Sequence, residues 1–371
     1  MNTDHQVHLP TEIVLEIVRF VAANDDEDRQ GTLYACCLIS RQWYSAAVAF
    51  LYEDPRLDVG QAFQKFTTTI CPSISARRSK LNLGCLVRRL DLGRLVHHSS
   101  NSRTARLLGR VKENLEVFIA PRVSFSVASI PALSKCLKLR HLDLALVGDP
   151  IPITLLEKSL RNLHQLISLR LPQFTSFTVP EETQLRLPPH LERLQISGSF
   201  SQSTVSFCSW PSSLKSLTLL NCVDLSVSSL GAILSTPLLS DTLKSLTISY
   251  ANRGLQPESI TMIPVFLPGL LLLNVPGDLV EESFFDLLNT LSPPVALQTL
   301  ELDHPCSDPS LNFEASSLLT ALHRGLSNLL SIGFSQTFVT DQTFLEHEDI
   351  DDVLLQRTTE NSSLLPGVYY F

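Results

Sequence analysis

From residue 87 onward the apolar positions of the chain fall in one recurring order: an apolar residue, two variable ones, an apolar residue, one variable, an apolar residue. The order occurs at Val87/Leu90/Leu92, Leu115/Phe118/Ala120, Leu139/Leu142/Leu144, Leu166/Leu169/Leu171 and Leu191/Leu194/Ile196. It continues at Leu214/Leu217/Leu219, Leu243/Leu246/Ile248, Leu270/Leu273/Val275, Leu297/Leu300/Leu302 and Leu329/Ile332/Phe334. The first members lie 28, 24, 27, 25, 23, 29, 27, 27 and 32 residues apart. Each motif predicts a short strand, and each interval a return segment, helical over residues 152–161, 226–234, 281–291 and 313–322. One strand with its return cannot bury its own apolar side, so the pattern requires neighbours to stack around a shared leucine core.

A period of roughly 20–29 residues with this order is the signature of leucine-rich repeats. The expected fold is therefore α/β, a solenoid with parallel strands on an inner, concave face and helices or irregular segments on the outer one. The turn position three residues after the third apolar residue departs from the pattern: Cys222 suits it, whereas Val147, Phe174, Ser199, Ala251 and Asp278 do not. Parallel sheets are usually covered on both faces. Here the inner face stays open, and its variable positions form the expected binding surface: Arg89, His141, Arg170, Arg193, Ser216, Thr218, Ser245, Thr247, Glu301 and Asp303. These positions grade from basic through hydroxyl to acidic, with Asp91 and Asp143 interspersed early, Ser249 in the middle, and Asn274 and Thr299 late. Between residues 71 and 112, Arg77, Arg78, Lys80, Arg88, Arg89, Arg94, Arg103, Arg106, Arg110 and Lys112 face Asp91 alone. Such a cluster suits an acidic or phosphorylated segment. Asp341, Glu346, Glu348, Asp349, Asp351 and Asp352 gather near the carboxyl end, where Val368-Tyr369-Tyr370-Phe371 is expected to cap the last repeat.

The first fifty residues follow a different period. After Leu9-Pro10-Thr11-Glu12-Ile13, the residues Ile13, Ile17, Val18 and Val21 recur at helical spacing, with Pro tolerated in a first turn. Second and third helices are expected over residues 31–40 and 41–50, the latter opened by Ser40-Arg41-Gln42-Trp43 and followed by Leu51-Tyr52. The ordered set Leu9, Pro10, Glu12, Ile13, Ile17, Cys37, Leu38, Ser40, Arg41, Trp43, Ala47, Leu51 and Tyr52 resembles the F-box. This is the module that docks a protein onto the adaptor subunit of a cullin–RING (SCF-type) ubiquitin ligase. The resemblance is to the fungal F-box proteins that run straight into repeats. It implies adaptor contacts by Leu9, Pro10, Ile13, Ile17, Val18, Val21, Leu38 and Trp43. Residues 22–30, with Asn24-Asp25-Asp26-Glu27-Asp28, are longer and more acidic than the usual connection in that family. If instead the module were a plain cap on the repeats, Leu9, Pro10 and Ile13 would be buried against Val87 and Leu90.

Composition narrows the function. Hydrophobic residues make up 44% and charged ones 18% of 371 residues, ample for a core, and the net charge of −8 argues against general nucleic-acid binding. Residues 1–8 lack a secretory pattern, and the apolar run at 262–275 is broken by Pro264 and Pro268. A soluble protein of the cytoplasm or nucleus is the expectation. The eight cysteines form no CxxC pair, so reduced and mostly buried thiols are expected rather than a metal site. Asn361-Ser362-Ser363 matches a glycosylation acceptor by chance. No GxGxxG, GxxxxGK, HExxH or GxSxG occurs, and His97-His98 and His347 stand outside any such motif. The chain is expected to need no cofactor and to catalyse nothing itself. The organisation expected is an F-box over residues 1–52, a junction and first cap segment over 53–86, repeats over 87–340, and an acidic tail with a cap over 341–371. The function implied is that of a substrate receptor in the ligase. The alternative is a repeat scaffold that binds a protein partner without any ligase.

Overall fold

The computed structural model describes residues 9–24, 26–72, 82–95, 101–178, 184–307, 310–338, 348–357 and 366–371. Arg77, Arg78, Lys80, His97, His98, Asp341, Glu346, His347 and Asn361 lie outside them, as does residue 25 of the acidic link, and Glu348 is described by its backbone. The chain divides into two compact units, Met1–Val147 and Gly148–Phe371.

The first unit opens with three helices, α1 (Thr11–Ala23), α2 (Arg29–Ile39) and α3 (Arg41–Glu53). They close around Val14, Val18, Leu33, Cys36, Ala46 and Ala47, with Leu15, Val21, Trp43, Phe50 and Leu51 packed against that core. Ser40 separates α2 from α3 with an extended backbone (φ −162°), and its Oγ accepts the Trp43 N–H at 3.3 Å. A serine in that place satisfies a donor that the first turn leaves open. Helix α2 starts two residues before, and α3 ends three residues after, the bounds that periodicity predicts, and the first two residues of α2 bond the ends of its neighbours. The Arg29 guanidinium donates to the carbonyls of Ala22 (3.4 Å) and Asp54 (3.0 Å), and Gln30 Nε2 to that of Leu51 (3.0 Å). These side chains satisfy carbonyls that the helix ends leave without partners.

Beyond the third helix, α4 (Gly60–Ile70) buries Phe63, Phe66 and Ile70 along one face, and Phe66 lies 6.2 Å from Tyr52 between ring centroids. Strands β1 (Arg89–Asp91), β2 (Val117–Ile119) and β3 (His141–Asp143) follow, parallel, with Leu90 opposite Phe118 and Phe118 opposite Leu142. Helix α5 (Asn101–Val111) buries Thr104, Leu107, Leu108 and Val111. The helical module is joined directly to the first motif, because the Glu53 carbonyl at the end of α3 accepts the Arg88 N–H at 2.9 Å.

The second unit carries β4 (Ile151–Pro152), β5 (Ser168–Arg170), β6 (Thr175–Ser176), β7 (Leu185–Arg186), β8 (Arg193–Gly198) and β9 (Cys208–Ser209). It continues with β10 (Ser216–Cys222), β11 (Ser245–Ile248), β12 (Leu272–Pro276), β13 (Thr299–Asp303), β14 (Ser331–Phe334) and β15 (Gly367–Tyr370). The order β5-β8-β10-β11-β12-β13-β14-β15 makes one parallel sheet, in which the central motif residues Leu169, Leu194, Leu217, Leu246, Leu273, Leu300 and Ile332 align. Val368 extends that row on the last strand, opposite Ile332. Helices at Ile153–Leu160, Val227–Leu234, Glu282–Thr290 and Ala315–His323 occupy the predicted return segments. None of the thirty apolar motif residues of the two units is more than 3% exposed. The fold is the parallel α/β repeat solenoid that the spacing predicts, preceded by a three-helix module.

The turns show how the missing asparagine is replaced. Asn252, one position beyond the expected place and 1% exposed, donates to the carbonyls of Leu219 and Ser249 and accepts the Cys222 N–H at 2.7 Å. Asp278 stands at the expected position and accepts the N–H groups of Cys306 and Ser307, both at 2.9 Å. Each ties its own turn to the neighbouring repeat. The cysteines are all free thiols, three buried and five half-buried, so fewer are enclosed than expected.

Leu217, fully buried between Leu194 and Leu246, sets the scale of this stacking. Leu217→Ala should lower unfolding free energy by about 3 kcal/mol, whereas Ser216→Ala beside it should change it by less than about 0.5 kcal/mol. Urea denaturation of the two variants measures both.

Candidate functional site

Helix α1 has apolar residues on two sides, and only one of them is used internally. Val14 and Val18 are fully buried in the module, while Leu9, Ile13, Ile17 and Phe20 are 37%, 48%, 39% and 77% exposed. The spacing of 4 and 3 residues keeps Ile13, Ile17 and Phe20 on one stripe of the helix, with Leu9 in the segment just before it. On α2, Tyr34, Leu38 and Ile39 are exposed as well. Pro10 is also exposed, and its carbonyl accepts the N–H groups of Ile13 and Val14. Gln42 Nε2 on α3 fixes the segment before α1, donating to Leu9 O at 3.0 Å and Thr11 Oγ1 at 3.1 Å.

Of the eight residues the resemblance assigns to an adaptor, Leu9, Pro10, Ile13, Ile17 and Leu38 stand outward. Val18 does not: its side chain is fully enclosed in the core and cannot touch another protein. Val21 and Trp43 are half-buried against that same core, so they brace the stripe from behind. Leu9, Pro10 and Ile13 are not covered by Val87 and Leu90, which are themselves fully buried. Sequence reasoning missed Phe20, Tyr34 and Ile39. The signal was present in the second helical stripe running 9, 13, 17, 20, hidden by the stronger core stripe at 14 and 18.

The strand face of each unit carries the second set of candidates. In the first unit Arg89 and His141 stand in one row, opposite Val117 between them. The early basic cluster is less free than its local sequence indicates. Arg89 meets Asp54 (3.7 Å) and Asp91 (3.1 Å), Arg88 meets Glu53 (3.5 Å) and Glu116 (3.6 Å), and Arg94 meets Asp58 (3.3 Å). Four of these carboxylates lie outside the window in which Asp91 had looked solitary: Glu53 ends α3, Asp54 and Asp58 follow it, and Glu116 comes after the window. Arg103, Arg106 and Arg110 stay exposed on α5, the first two beside Thr67, Thr68 and Cys71 on a cavity of about 540 Å³.

In the second unit eight residues form a continuous middle row: Arg170, Gln195, Thr218, Thr247, Asn274, Glu301, Gly333 and Tyr369. Beside it run Ser168, Arg193, Ser216, Ser245, Leu272, Thr299 and Ser331. Arg170 and Arg193 are exposed, and Ser216, Thr218, Ser245 and Thr247 half-exposed. Arg170 Nε donates to Gln195 Oε1 at 2.7 Å. Gln195 Nε2 and Asn274 Oδ1 are buried without a hydrogen-bond partner, three strand spacings or about 14 Å apart.

The acidic end differs from expectation. Thr299 is buried at 5% exposure, its Oγ1 3.3 Å from Ser331 Oγ. Glu301 is committed within the chain, accepting Asn274 Nδ2 and the Tyr369 hydroxyl, both at 2.6 Å. Asp303 accepts the His304 N–H at 2.7 Å, and the His304 ring lies 4.7 Å from that of Tyr250. Burial and the Glu301 carboxylate push the Tyr369 phenol above its ordinary range. Burial likewise raises Cys136, Cys208 and Cys222 to about 12, which makes them poor nucleophiles and poor metal ligands. Among the described residues no group of three or more His, Cys, Asp or Glu side chains could hold a metal ion, and no helix is long and apolar enough to cross a membrane.

Comparison with known proteins adds the following. No family model matches the chain. It is 28% identical over 281 residues to F-box protein YDR306C of Saccharomyces cerevisiae, a match covering 73% of this chain and 57% of that protein. It is 25% identical over 248 residues to Protein pof5 of Schizosaccharomyces pombe, covering 67% of this chain and 68% of that one. The chain thus spans little more than half the length of the first relative. Among solved structures, a chain of the TLR13–ssRNA13 complex is 17% identical, with 69% of this chain and 48% of that one covered at a TM-score of 0.22. A score so low bears on neither site nor function.

A raised phenol favours folding while it stays neutral. The stability that Tyr369 contributes is therefore complete below the unfolded tyrosine value of about 10, and is lost as pH rises above it. Melting temperature measured between pH 8 and 11 should fall more steeply for the unaltered chain than for Tyr369→Phe.

Proposed function

We propose that this chain is a substrate-recognition subunit of an SCF-type cullin–RING ubiquitin ligase, acting in the cytoplasm or nucleus. The amino-terminal helices dock on the adaptor, and through it the cullin, while the open strand face holds a protein substrate. The observation that carries this reading is the outward row of Leu9, Ile13, Ile17 and Phe20, the last three on a helix whose opposite side already fills the module core. A helix serving only as a cap has no use for a second apolar side. Covering a large apolar side chain completely is worth about 1.5–3 kcal/mol, and the exposed parts of these four contribute a share of that. The resemblance of the Leu9–Ile13, Ser40–Trp43 and Leu51-Tyr52 segments to the F-box supports the same reading, as does likeness to a yeast protein named for that module.

The mechanism is proximity. A tether that holds substrate beside a ubiquitin-charged enzyme raises their effective concentration, and no catalytic group is required of the tether itself. The strand face offers exposed Arg170 and Arg193 next to a hydroxyl-lined stretch at Ser216, Thr218, Ser245 and Thr247. That surface suits an extended protein segment with an acidic group at one end.

Co-expression with the adaptor provides the test. The unaltered chain should retain the adaptor on purification, and cullin when that is added. Leu9→Ala with Pro10→Ala should weaken retention. Ile13→Asp with Phe20→Asp should weaken it at least a hundredfold, corresponding to about 2.7 kcal/mol, at an unchanged melting temperature. Val18→Ala should lower the melting temperature and leave adaptor affinity within threefold. An unaltered, folded chain that does not retain the adaptor would overturn the ligase reading and leave a repeat scaffold; retention of adaptor without cullin would place it in a cullin-free complex.

A further inference from the structure

The middle row of the second unit has one position without a side chain. At Gly333 a Cβ would lie 2.7 Å from Tyr369 Cζ, 2.8 Å from its Cε2 and 3.0 Å from Phe371 Cε1. Gly333 is not among the residues with positive φ, so its backbone does not demand glycine; the two rings do. The Tyr369 ring leans across this gap and its hydroxyl reaches Glu301 on the next strand, whose carboxylate is steadied by Asn274. The main chain is held at the same time, the Phe371 N–H by the Phe334 carbonyl (3.1 Å) and the Gln336 N–H by the Phe371 carbonyl (3.0 Å).

A missing side chain, a carboxylate at the reach of one phenol and a strand edge whose backbone groups bond an extended segment are the parts of a peptide-reading site. Strand addition takes its affinity from main-chain hydrogen bonds and its selectivity from seats for alternate side chains. Residues i and i+2 of an extended segment share a face, as Tyr369 and Phe371 do here. The occupant rests on the surface, with Tyr370 and Phe371 still 44% and 42% exposed.

We propose that Gly333, Glu301 and the outer edge of β14 form a binding site for an extended peptide bearing tyrosine with an aromatic residue two positions later. In the isolated chain its own last residues hold the site, and the matching segment of a protein partner displaces them. Phenylalanine in place of the tyrosine is disfavoured because it leaves the Glu301 oxygen without its donor. A tethered occupant acts at an effective concentration on the order of millimolar. The incoming segment therefore needs added contacts, and the exposed stretch from Arg170 to Thr247 on the same face supplies them. This deepens the reading of the strand face as a receptor surface, and it is tested without any adaptor, so its failure leaves adaptor docking untouched.

The experiment uses the full chain with Tyr369→Ser and Phe371→Ser, which weakens the internal occupant, and a fluorescent peptide with the sequence of residues 366–371. Anisotropy should show saturable binding at least tenfold tighter than to the unaltered chain. Adding Gly333→Leu should weaken it at least tenfold, and a peptide with phenylalanine for its first tyrosine should bind at least fivefold more weakly. Absence of binding to a variant that keeps its melting transition would overturn the proposal, as would binding indifferent to Gly333→Leu. If the double variant does not fold, the Tyr369→Phe chain, which retains the ring and loses only the hydroxyl, takes its place. It should bind the tyrosine peptide at least tenfold tighter than the unaltered chain, and equal binding by the two would overturn the proposal.

Discussion

Every part of this molecule answers to the inability of a single repeat to enclose its own leucines. Each strand presents two apolar residues to one side, and only the strand and helix of the next repeat can cover them. Within each unit the motif residues are buried because neighbouring strands meet this condition, with the central residues in register across each described pair. Asn252 and Asp278 act on the same joints from the side, each bonding backbone groups of a neighbouring turn. The last described strand meets the same condition in its own way. In the second unit β15, the next strand along the chain, is laid parallel against β14 with Val368 opposite Ile332.

Two surfaces of contrasting chemistry are left when the stacking is satisfied. One is helical and apolar, built by α1 and α2 from side chains that the small core has no room to take. The other lies on the strands and is polar, built from the variable positions that alternate with the leucines. Because Glu53 at the end of α3 is bonded to Arg88 beside β1, and Arg88 and Arg89 reach back to Glu53 and Asp54, the helical module is fastened to the first motif by main chain and side chains together. Exposed ion pairs of this sort contribute about 0–1 kcal/mol each. Their role here is to fix an orientation more than to add stability.

The repeat fold was legible because its signal is periodic and local: the strand centres and the four long return helices follow from the spacing of leucines alone. The helical module was legible in its order of residues, yet the duties of individual side chains were not. Val18 and Ile17 are neighbours of nearly equal hydropathy, and only the placement of α2 and α3 decides that one is enclosed and the other exposed. Charge was the least legible property. The partners of Arg88, Arg89 and Arg94 precede them by about 35 residues, and Glu301 meets a tyrosine 68 residues away. Such pairings depend on which strands become neighbours, a fact of topology that no sequence window contains. Asn252 was missed for a smaller reason, standing one position beyond the place where a regular turn would put it.

The two-sided character of α1 bears on the life of the protein before it meets any partner. A helix that shows Ile13, Ile17 and Phe20 to water while Val14 and Val18 face inward can satisfy its outer side by self-association as readily as by docking. Chains made in excess of their partner should therefore clump or be taken up by chaperones and proteases. If that side docks on a partner as proposed, their abundance in the cell is set by how much partner is on hand, a form of stoichiometric control written into one side of a thirteen-residue helix.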